Sequence, residues 1–316
     1  MDFPVVTIGI ASYNNASYVR ETLDSLIVQD YAAIQIVIVD DCSPDNSVQI
    51  IEEWLLEHPE VDAQFIRHPT NRGVCAVCNR ILAESKGEFM CLVGSDDTYL
   101  PDRIRKQVQA FQDLGPEYAM CYSDVVNIDK DGNLLNDGRP VMWTQGHPEG
   151  EVFHALLARN FIPAMAQLVR VSVYRELGGF DESLSYEDWD MWLRIARQYR
   201  IKYVPGVVAK YRVHVRSAMT ARLRALTESS MPILLKHLNI DRATDKLVHI
   251  QMAKVARELY TVGSPQAKQW LLHTWKWQPD WRSKVYVAMA GLGIPYASLA
   301  DTLRKMRGVL DTGTSA

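Results

Sequence analysis

The chain has 316 residues, of which 47% are hydrophobic and 23% are charged, and its net charge at pH 7 is −4. This length is enough for one large domain with an appendage, or for two domains. The slightly negative charge argues against nucleic acid as the main partner, because phosphate backbones are bound by basic surfaces.

Nothing near the amino terminus resembles a secretory signal peptide, since residues 1–4 lead directly into a strand-like run. No run of about 18 uninterrupted apolar residues is present, so no membrane-spanning helix is expected. The five cysteines lack the spacing of a disulfide framework, which is typical of a reducing compartment. We interpret Cys75 and Cys78, one helical turn apart, as packing residues rather than half of a metal site. These features predict a cytoplasmic protein.

The first hundred residues alternate between strands and helices. Apolar runs predict strands at 5–11, 34–39, 63–67 and 89–93. Helical patterns follow the four strands at about 18–29, at 48–57, from the turn at 71–73 to about 85, and at 101–114. Strands that are almost continuously apolar are typical of a parallel sheet covered on both faces. The sequence therefore predicts an α/β fold with a mostly parallel, Rossmann-like sheet flanked by helices.

A polar turn follows each of these four strands. In chain order, the turns contain Ser12, Tyr13 and Asn14; Asp40 and Asp41; Asn71, Arg72 and Gly73; and Ser95, Asp96 and Asp97. Ligands of such sheets bind beyond the carboxyl ends of the strands, so the four turns are expected to converge on one rim. The first turn lacks the glycine-rich loop of dinucleotide-binding oxidoreductases, and no Walker loop is present.

The fourth turn places the adjacent carboxylates of Asp96 and Asp97 after a buried-looking strand. Such carboxylates are costly unless a positive group meets them. Mg²⁺ and Mn²⁺ accept carboxylate ligands and share their shell with substrate phosphates. The alternative is a solvated turn that leads into the helix beginning at Pro101. The presence of three further polar turns favours the metal interpretation.

The second half of the chain is less regular. Strands are predicted at 118–126, 166–173 and 206–211, a helix at 152–159, and a long loop at 129–150 that is rich in Gly, Asp, Asn and Pro. From about residue 222 the pattern is helical, with segments near 223–238, 244–262, 265–277 and 295–310. We therefore expect one domain over residues 1–220 and a helical carboxyl-terminal region over 221–316.

The order and spacing of the polar pieces resemble the family 2 glycosyltransferases, which have the GT-A fold. The matching pieces are residues 12–14, 39–43, 71–73 with Asn79, 95–97, 178–181, 187–188 and 211–214. This resemblance implies an inverting, metal-dependent transferase. Its donor would be a nucleoside diphosphate sugar, with UDP or dTDP favoured, and its acceptor a hydroxyl of a glycan or lipid-linked glycan.

The resemblance also implies roles for individual residues. Asp188 matches the catalytic base, while Asp97 and His214 would hold Mn²⁺ or Mg²⁺. Asp40 or Asp41 would accept a hydrogen bond from a base N–H, which favours uracil or thymine. The residues implied to bind the nucleotide sugar are Ser12, Tyr13, Asn14, Asp40, Asp41, Asn71, Arg72, Gly73, Asn79, Ser95, Asp96, Glu187 and Arg212.

Structural alternatives stand beside these roles. Asp40 and Asp41 also suit a tight turn, Asp188 suits a helix N-cap, and an isolated histidine such as His214 more often serves structure. Asp190 is expected to pair with Arg194 four residues later. The chain also departs from the family pattern, with Gly94 where Asp is common and Cys78 where Arg is common.

The carboxyl-terminal helices allow several partners. Leu299, Leu303, Met306 and Leu310 would share one helical face beside Arg304, Lys305 and Arg307, and Trp270, Trp275, Trp277 and Trp281 suit an interface. Peripheral association with an anionic membrane, packing on the catalytic domain, or a homo-oligomer would each explain the pattern. Residues 278–282 superficially resemble a processive-synthase signature, but the last two residues are in the wrong order.

Two rival functions remain open at this point. A sugar-1-phosphate nucleotidyltransferase would share the sheet but should carry a glycine-rich loop after the first strand, where this chain has Ser12, Tyr13 and Asn14. A non-catalytic nucleotide-sugar-binding subunit of a glycan assembly complex would need no base.

Overall fold

The computed structural model of the chain describes residues 4–141, 146–214, 223–277 and 281–296, without the side chains of Trp281 and Arg282. The chain divides into two compact units, residues 1–220 and 221–316.

The first unit is built around one large sheet. In the described residues its strands are β1 (Val6–Ser12), β2 (Ile34–Asp40), β3 (Ala63–Arg67), β4 (Phe89–Gly94), β5 (Thr98–Tyr99), β6 (Tyr118–Ile128), β7 (Gln167–Arg170) and β8 (Arg200–Arg212). Their spatial order is β3-β2-β1-β4-β7-β6-β8-β5. The first four strands run parallel, as do β6 and β8, whereas β7 and β5 are antiparallel to their neighbours. The prediction of a mostly parallel α/β sheet is confirmed.

Helices cover this sheet. They are α1 (Val19–Ile27), α2 (Ser47–Glu57), α3 (Val74–Glu84), α4 (Arg103–Gln112), α5 (Phe153–Ala158), α6 (Val171–Glu176) and α7 (Glu187–Ala196), with short 3₁₀ turns at Asn136–Gly138 and Ala164–Ala166. The apolar spacing of α1 explains its packing, since Val19, Leu23 and Leu26 are all buried.

The central strand β1 lies very close to a covering helix. A Cβ atom at Gly9 would lie 2.4 Å from Cγ2 of Ile81, a residue of α3. The missing side chain at Gly9 therefore allows α3 to approach the sheet directly. Cys75 and Cys78 lie on the buried face of α3, and burial raises the pKa of the Cys75 thiol to about 12. Their expected role in packing is confirmed.

Several boundaries differ from the sequence prediction. The strand expected at 166–173 ends at Arg170, and residues 171–176 form α6 instead. The strand expected at 206 begins six residues earlier, at Arg200, because β8 continues through irregular pairing with β6. The strand β5 has only two residues, which is too short for a periodic signal.

The second unit is helical. It contains α8 (Leu223–Leu235), α9 (Arg242–Thr261), α10 (Ala267–Thr274) and α11 (Trp281–Gly291). The sequence did not predict α11. The apolar face expected at Leu299, Leu303, Met306 and Leu310 and residues 278–280 of the synthase-like signature lie outside the described residues. Within the described part of the chain, every helix is too short or too polar to cross a lipid bilayer.

Candidate active site

The polar turns after β1, β2, β3 and β4 lie together at one edge of the sheet. The first turn contacts the second, because the Ser12 hydroxyl donates to Asp40 Oδ2 at 2.9 Å. It also contacts the fourth, because Nδ2 of Asn15 donates to the Ser95 hydroxyl at 3.0 Å. The third turn joins through Asp41, which accepts from the Arg72 amide at 2.9 Å. The expected rim is therefore present.

Asp40 ends β2 and is completely buried. Its carboxylate accepts from the hydroxyl of Ser12 and from both the amide and the hydroxyl of Ser43. These bonds hold the turn in which Cys42 adopts a positive φ of 64°. Asp40 therefore shapes the turn, as the structural alternative predicted for this pair of residues.

The Asp41 carboxylate organises the third turn. Oδ1 lies 2.8 Å from Nδ1 of His68 and accepts from the Arg72 amide, while Oδ2 accepts from the Gly73 amide at 2.8 Å. The side-chain amide of Asn71 donates to the Asp41 carbonyl. An ionised carboxylate offers about four acceptor positions, so one remains on Asp41 for a ring N–H. His68 had not been singled out from the sequence.

The first turn and the start of α7 carry the remaining expected donor contacts. Asn14 adopts a positive φ of 57°, and its amide donates to the hydroxyl of Ser43. Tyr13, just before it, presents an exposed ring. Glu187 is half-buried at the first position of α7.

The acidic turn after β4 is held by hydrogen bonds from β8. Oδ1 of the buried Asp97 accepts from the Arg212 amide at 2.8 Å. Oδ2 of Asp96 lies 2.9 Å from Nε2 of His214. Burial raises the pKa of Asp97 well above the usual carboxyl range, and the Asp96 charge raises it further. A Cβ atom at Gly94 would lie 2.7 Å from Asp96 Oδ1, so the glycine leaves room for that carboxylate.

The chemistry of this turn fits a hard divalent cation. Two adjacent carboxylates repel each other in a buried setting, and a cation would relieve that repulsion. In the residues that the structure describes, no three His, Cys, Asp or Glu side chains are arranged to hold a metal. A cation at this turn would thus need further ligands from phosphate and water.

Arg212 lies at the centre of this region and is itself buried. Its guanidinium donates through Nε to the Asp96 carbonyl at 2.8 Å and through Nη1 to the Asp129 carbonyl at 3.2 Å. Nη2 pairs with Glu21, and the ring of Tyr18 lies 4.7 Å from the guanidinium carbon. Each guanidinium nitrogen thus has a protein partner, and a direct contact between Arg212 and phosphate would require some of these bonds to break.

The carboxylate of Asp188 lies in the first turn of α7, two residues after its N-cap, Tyr186. Oδ1 accepts from Nδ2 of Asn160 at 3.4 Å and from the Trp189 amide. Burial raises the pKa of Asp188 well above the usual carboxyl range, the Glu187 charge raises it further, and the Asn160 hydrogen bond opposes the rise. Asp188 is thus not the N-cap, and its raised pKa makes it a candidate for proton transfer.

Tyr211 connects the acidic turn with Asp188. Its phenol is largely buried, which raises its pKa to about 12, with further contributions from the charges of Asp97, Asp96 and Asp188. The charges of all three carboxylates thus influence the pKa of one phenol. Near neutral pH the phenol stays protonated.

Asn79 and Arg72 contact the loop that precedes α7. The Asn79 amide donates to the Phe180 carbonyl and to Glu182, and its oxygen accepts from the Phe180 amide at 2.8 Å. Arg72 forms an ion pair with Glu182 at 3.0 Å. The amide of Asn79 is occupied by these bonds, so its expected contact with a donor would require them to break.

Three further residues, Asp190, Asn160 and His68, can be compared with what the sequence predicted. Asp190 pairs with Arg194 at 2.9 Å, as predicted. Asn160 was missed because it lies in an irregular segment 28 residues from Asp188 and belongs to no periodic pattern. His68 directly follows β3, just as the other polar turns directly follow their strands. This position was the signal by which His68 could have been found from the sequence.

Comparison with known families places residues 7–178 in the profile described as Glycosyl transferase family 2. An uncharacterized glycosyltransferase of Rickettsia felis is 31% identical over 67% of this chain and 34% of its own length. One from Rickettsia bellii is 29% identical over 67% of this chain and 30% of its own length. The chain thus spans about a third of these two relatives.

Solved structures share the fold. Staphylococcus aureus TarS in complex with UDP-GlcNAc superposes with a TM-score of 0.63 at 18% identity, covering 90% of this chain and 78% of that one. The mannosyltransferase PcManGT from Pyrobaculum calidifontis, in complex with GDP-Man and Mn²⁺, superposes with a TM-score of 0.61 at 19% identity. This superposition covers 92% of this chain and 81% of PcManGT. The prediction of a GT-A-type fold is confirmed.

Replacing Arg212 by Ala should destabilise the first unit by about 2–4 kcal/mol, because a buried side chain is lost and the half-buried residues Asp96 and Asp129 lose the donor to their carbonyls. Urea unfolding measures this change. Arg20→Ala is the matched control, since Arg20 forms an exposed ion pair with Glu57 and should unfold like the wild type. Equal effects of the two substitutions would contradict the structural role of Arg212.

Proposed function

The chain belongs to glycosyl transferase family 2, and from that premise we propose that it is an inverting, metal-dependent glycosyltransferase. It would move one sugar from a nucleoside diphosphate sugar to a hydroxyl of a glycan or lipid-linked glycan. The observation that carries this proposal is the convergence of the polar turns after β1, β2, β3 and β4 on one edge of the sheet.

Recognition of the donor is assigned to the turns after β1, β2 and β3. The remaining acceptor position of Asp41 suits the ring N–H of uracil or thymine, which favours UDP or dTDP. Its neighbours Ser12, Tyr13, Asn14 and the segment 71–73 would surround the base and ribose. TarS has been solved with UDP and with UDP-GlcNAc, which supports a uridine donor as the first choice to test.

Asp97 would hold a divalent cation, because only one of its oxygens is used by the Arg212 amide. Asp96 is held toward His214, so these two side chains would complete the shell or bind metal-bound water. The cation, when bound, supplies Lewis-acid stabilisation for the diphosphate that departs. The Mn²⁺ in the PcManGT complex supports this assignment.

Asp188 would act as the general base. It would remove the proton from the acceptor hydroxyl as the oxygen attacks the anomeric carbon from the face opposite the diphosphate. The pKa of Asp188 is raised by burial, and a raised pKa strengthens a carboxylate as a proton acceptor. Asn160 donates to the same carboxylate, and we assign it a positioning role toward the base.

The two rival functions are less well supported. A nucleotidyltransferase needs a glycine-rich loop after β1, where this chain has Ser12, Tyr13 and Asn14. A non-catalytic binding subunit has no need of a base candidate such as Asp188, whose pKa is raised. The effect of Asp188→Asn on sugar transfer distinguishes a binding subunit from a transferase.

Asp188→Asn should lower sugar transfer about a hundredfold to ten-thousandfold, since it removes the base while keeping the shape of the side chain. Affinity for UDP, measured by titration calorimetry, should stay at the wild-type value. Asp113→Asn, an exposed position at the end of α4, is the matched control and should transfer normally. Wild-type turnover by the Asp188 variant would exclude it as the base.

Asn160→Ala should shift the acidic limb of the kcat profile to higher pH. The Asn160 N–H stabilises the carboxylate anion, so its loss raises the pKa of Asp188 and leaves less of the base deprotonated in weak acid. Stopped assays across pH measure the shift, and Asn160→Ser should restore part of it. A uniform loss of kcat at every pH would indicate a purely structural role.

A further inference from the structure

The last described helix, α11, turns an apolar face outward. Its inner side faces α9, where the buried hydroxyl of Ser283 accepts from Nη1 of Arg257 at 2.9 Å. Val285 and Ala288 in α11, and Leu292 directly after its last residue, follow helical spacing on the opposite side, and we call them the α11 face. Val285 is 38% exposed, Leu292 is 75% exposed, and Ala288 is exposed as well.

The neighbouring helix α10 adds apolar surface nearby. Its buried side carries Ala267, Leu271 and Thr274, whereas Leu272 is 52% and Trp275 is 47% exposed. α10 and α11 pack against each other. The exposed apolar side chains of α10 and α11 thus belong to two helices that pack together.

Charge is unevenly distributed along the chain. Residues 262–296 contain four basic residues, Lys268, Lys276, Arg282 and Lys284, and one acidic residue, Asp280. The whole chain carries −4, so this segment is opposite in sign to the rest. The segment also holds four of the eight tryptophans, a residue type that favours membrane interfaces.

We propose that the α11 face docks on an anionic lipid surface. The apolar side chains would enter the boundary between headgroups and acyl chains, while the lysines of the same segment meet the lipid phosphates. This surface differs from the one predicted at residues 299–310. The inference is independent of transfer activity, because it concerns the second unit alone.

Charge also favours lipid over a second copy of the chain. A symmetric dimer through this face would bring the same basic segment of both copies together, and like charges oppose such a contact. An anionic lipid surface complements both the basic charge of the segment and the apolar side chains of the α11 face.

Sedimentation of the full chain with vesicles tests the proposal. The wild type should pellet with vesicles of equimolar phosphatidylcholine and phosphatidylglycerol, less with phosphatidylcholine alone, and less as salt rises. Leu292→Glu should weaken the partition at least about tenfold, because a charge replaces a large inserted apolar group. Circular dichroism should show that this variant is folded.

Leu56→Glu is the matched control, since Leu56 is an 83% exposed leucine on α2 of the first unit. It should bind vesicles like the wild type. A wild-type chain that stays in the supernatant, or a Leu292→Glu variant that binds normally, would overturn the proposal. So would a wild-type dimer that this substitution dissociates, because the face would then belong to a second copy.

Discussion

The burial of several carboxylates at one edge of the sheet is the constraint on which the rest of this structure depends. Each carboxylate needs donors, and each draws them from a distant part of the chain. Asp41 takes the amides of the third turn, and Asp97 takes the amide of Arg212. The guanidinium of Arg212 then fixes the neighbouring carbonyls. The carboxylates of the site therefore also hold the turns that follow the strands.

Much of the fold was predictable because it rests on local signals. The apolar runs that begin at residues 5, 34 and 89 indicate buried strands of a parallel sheet, because strands covered on both faces are almost continuously apolar. The run at 63–67 contains Gln64 and Arg67 and forms the half-buried edge strand β3. Parallel strands also bring their carboxyl ends to one edge, so the convergence of the polar turns followed directly. The short strand β5 and the helix α6 escaped because too few residues carry a period.

The site was only partly predictable, because its side chains meet across long sequence separations. The types and order of residues pointed to Asp97 and Asp188, but no spacing shows that Asn160 donates to Asp188. Nor does any spacing show that the guanidinium of Arg212, expected to contact phosphate, donates to backbone carbonyls and to Glu21. The amide of Asn79 likewise holds the loop before α7.

The most direct test of the proposed function is a screen of nucleotide sugars for turnover in the presence of Mn²⁺. The full chain is incubated with UDP, dTDP and GDP sugars, and release of the nucleoside diphosphate is measured with and without a chelator. We expect release from at least one UDP or dTDP sugar, and its loss when the metal is removed. Binding of a donor without any release, for every sugar in the panel, would contradict the transferase and favour a binding subunit.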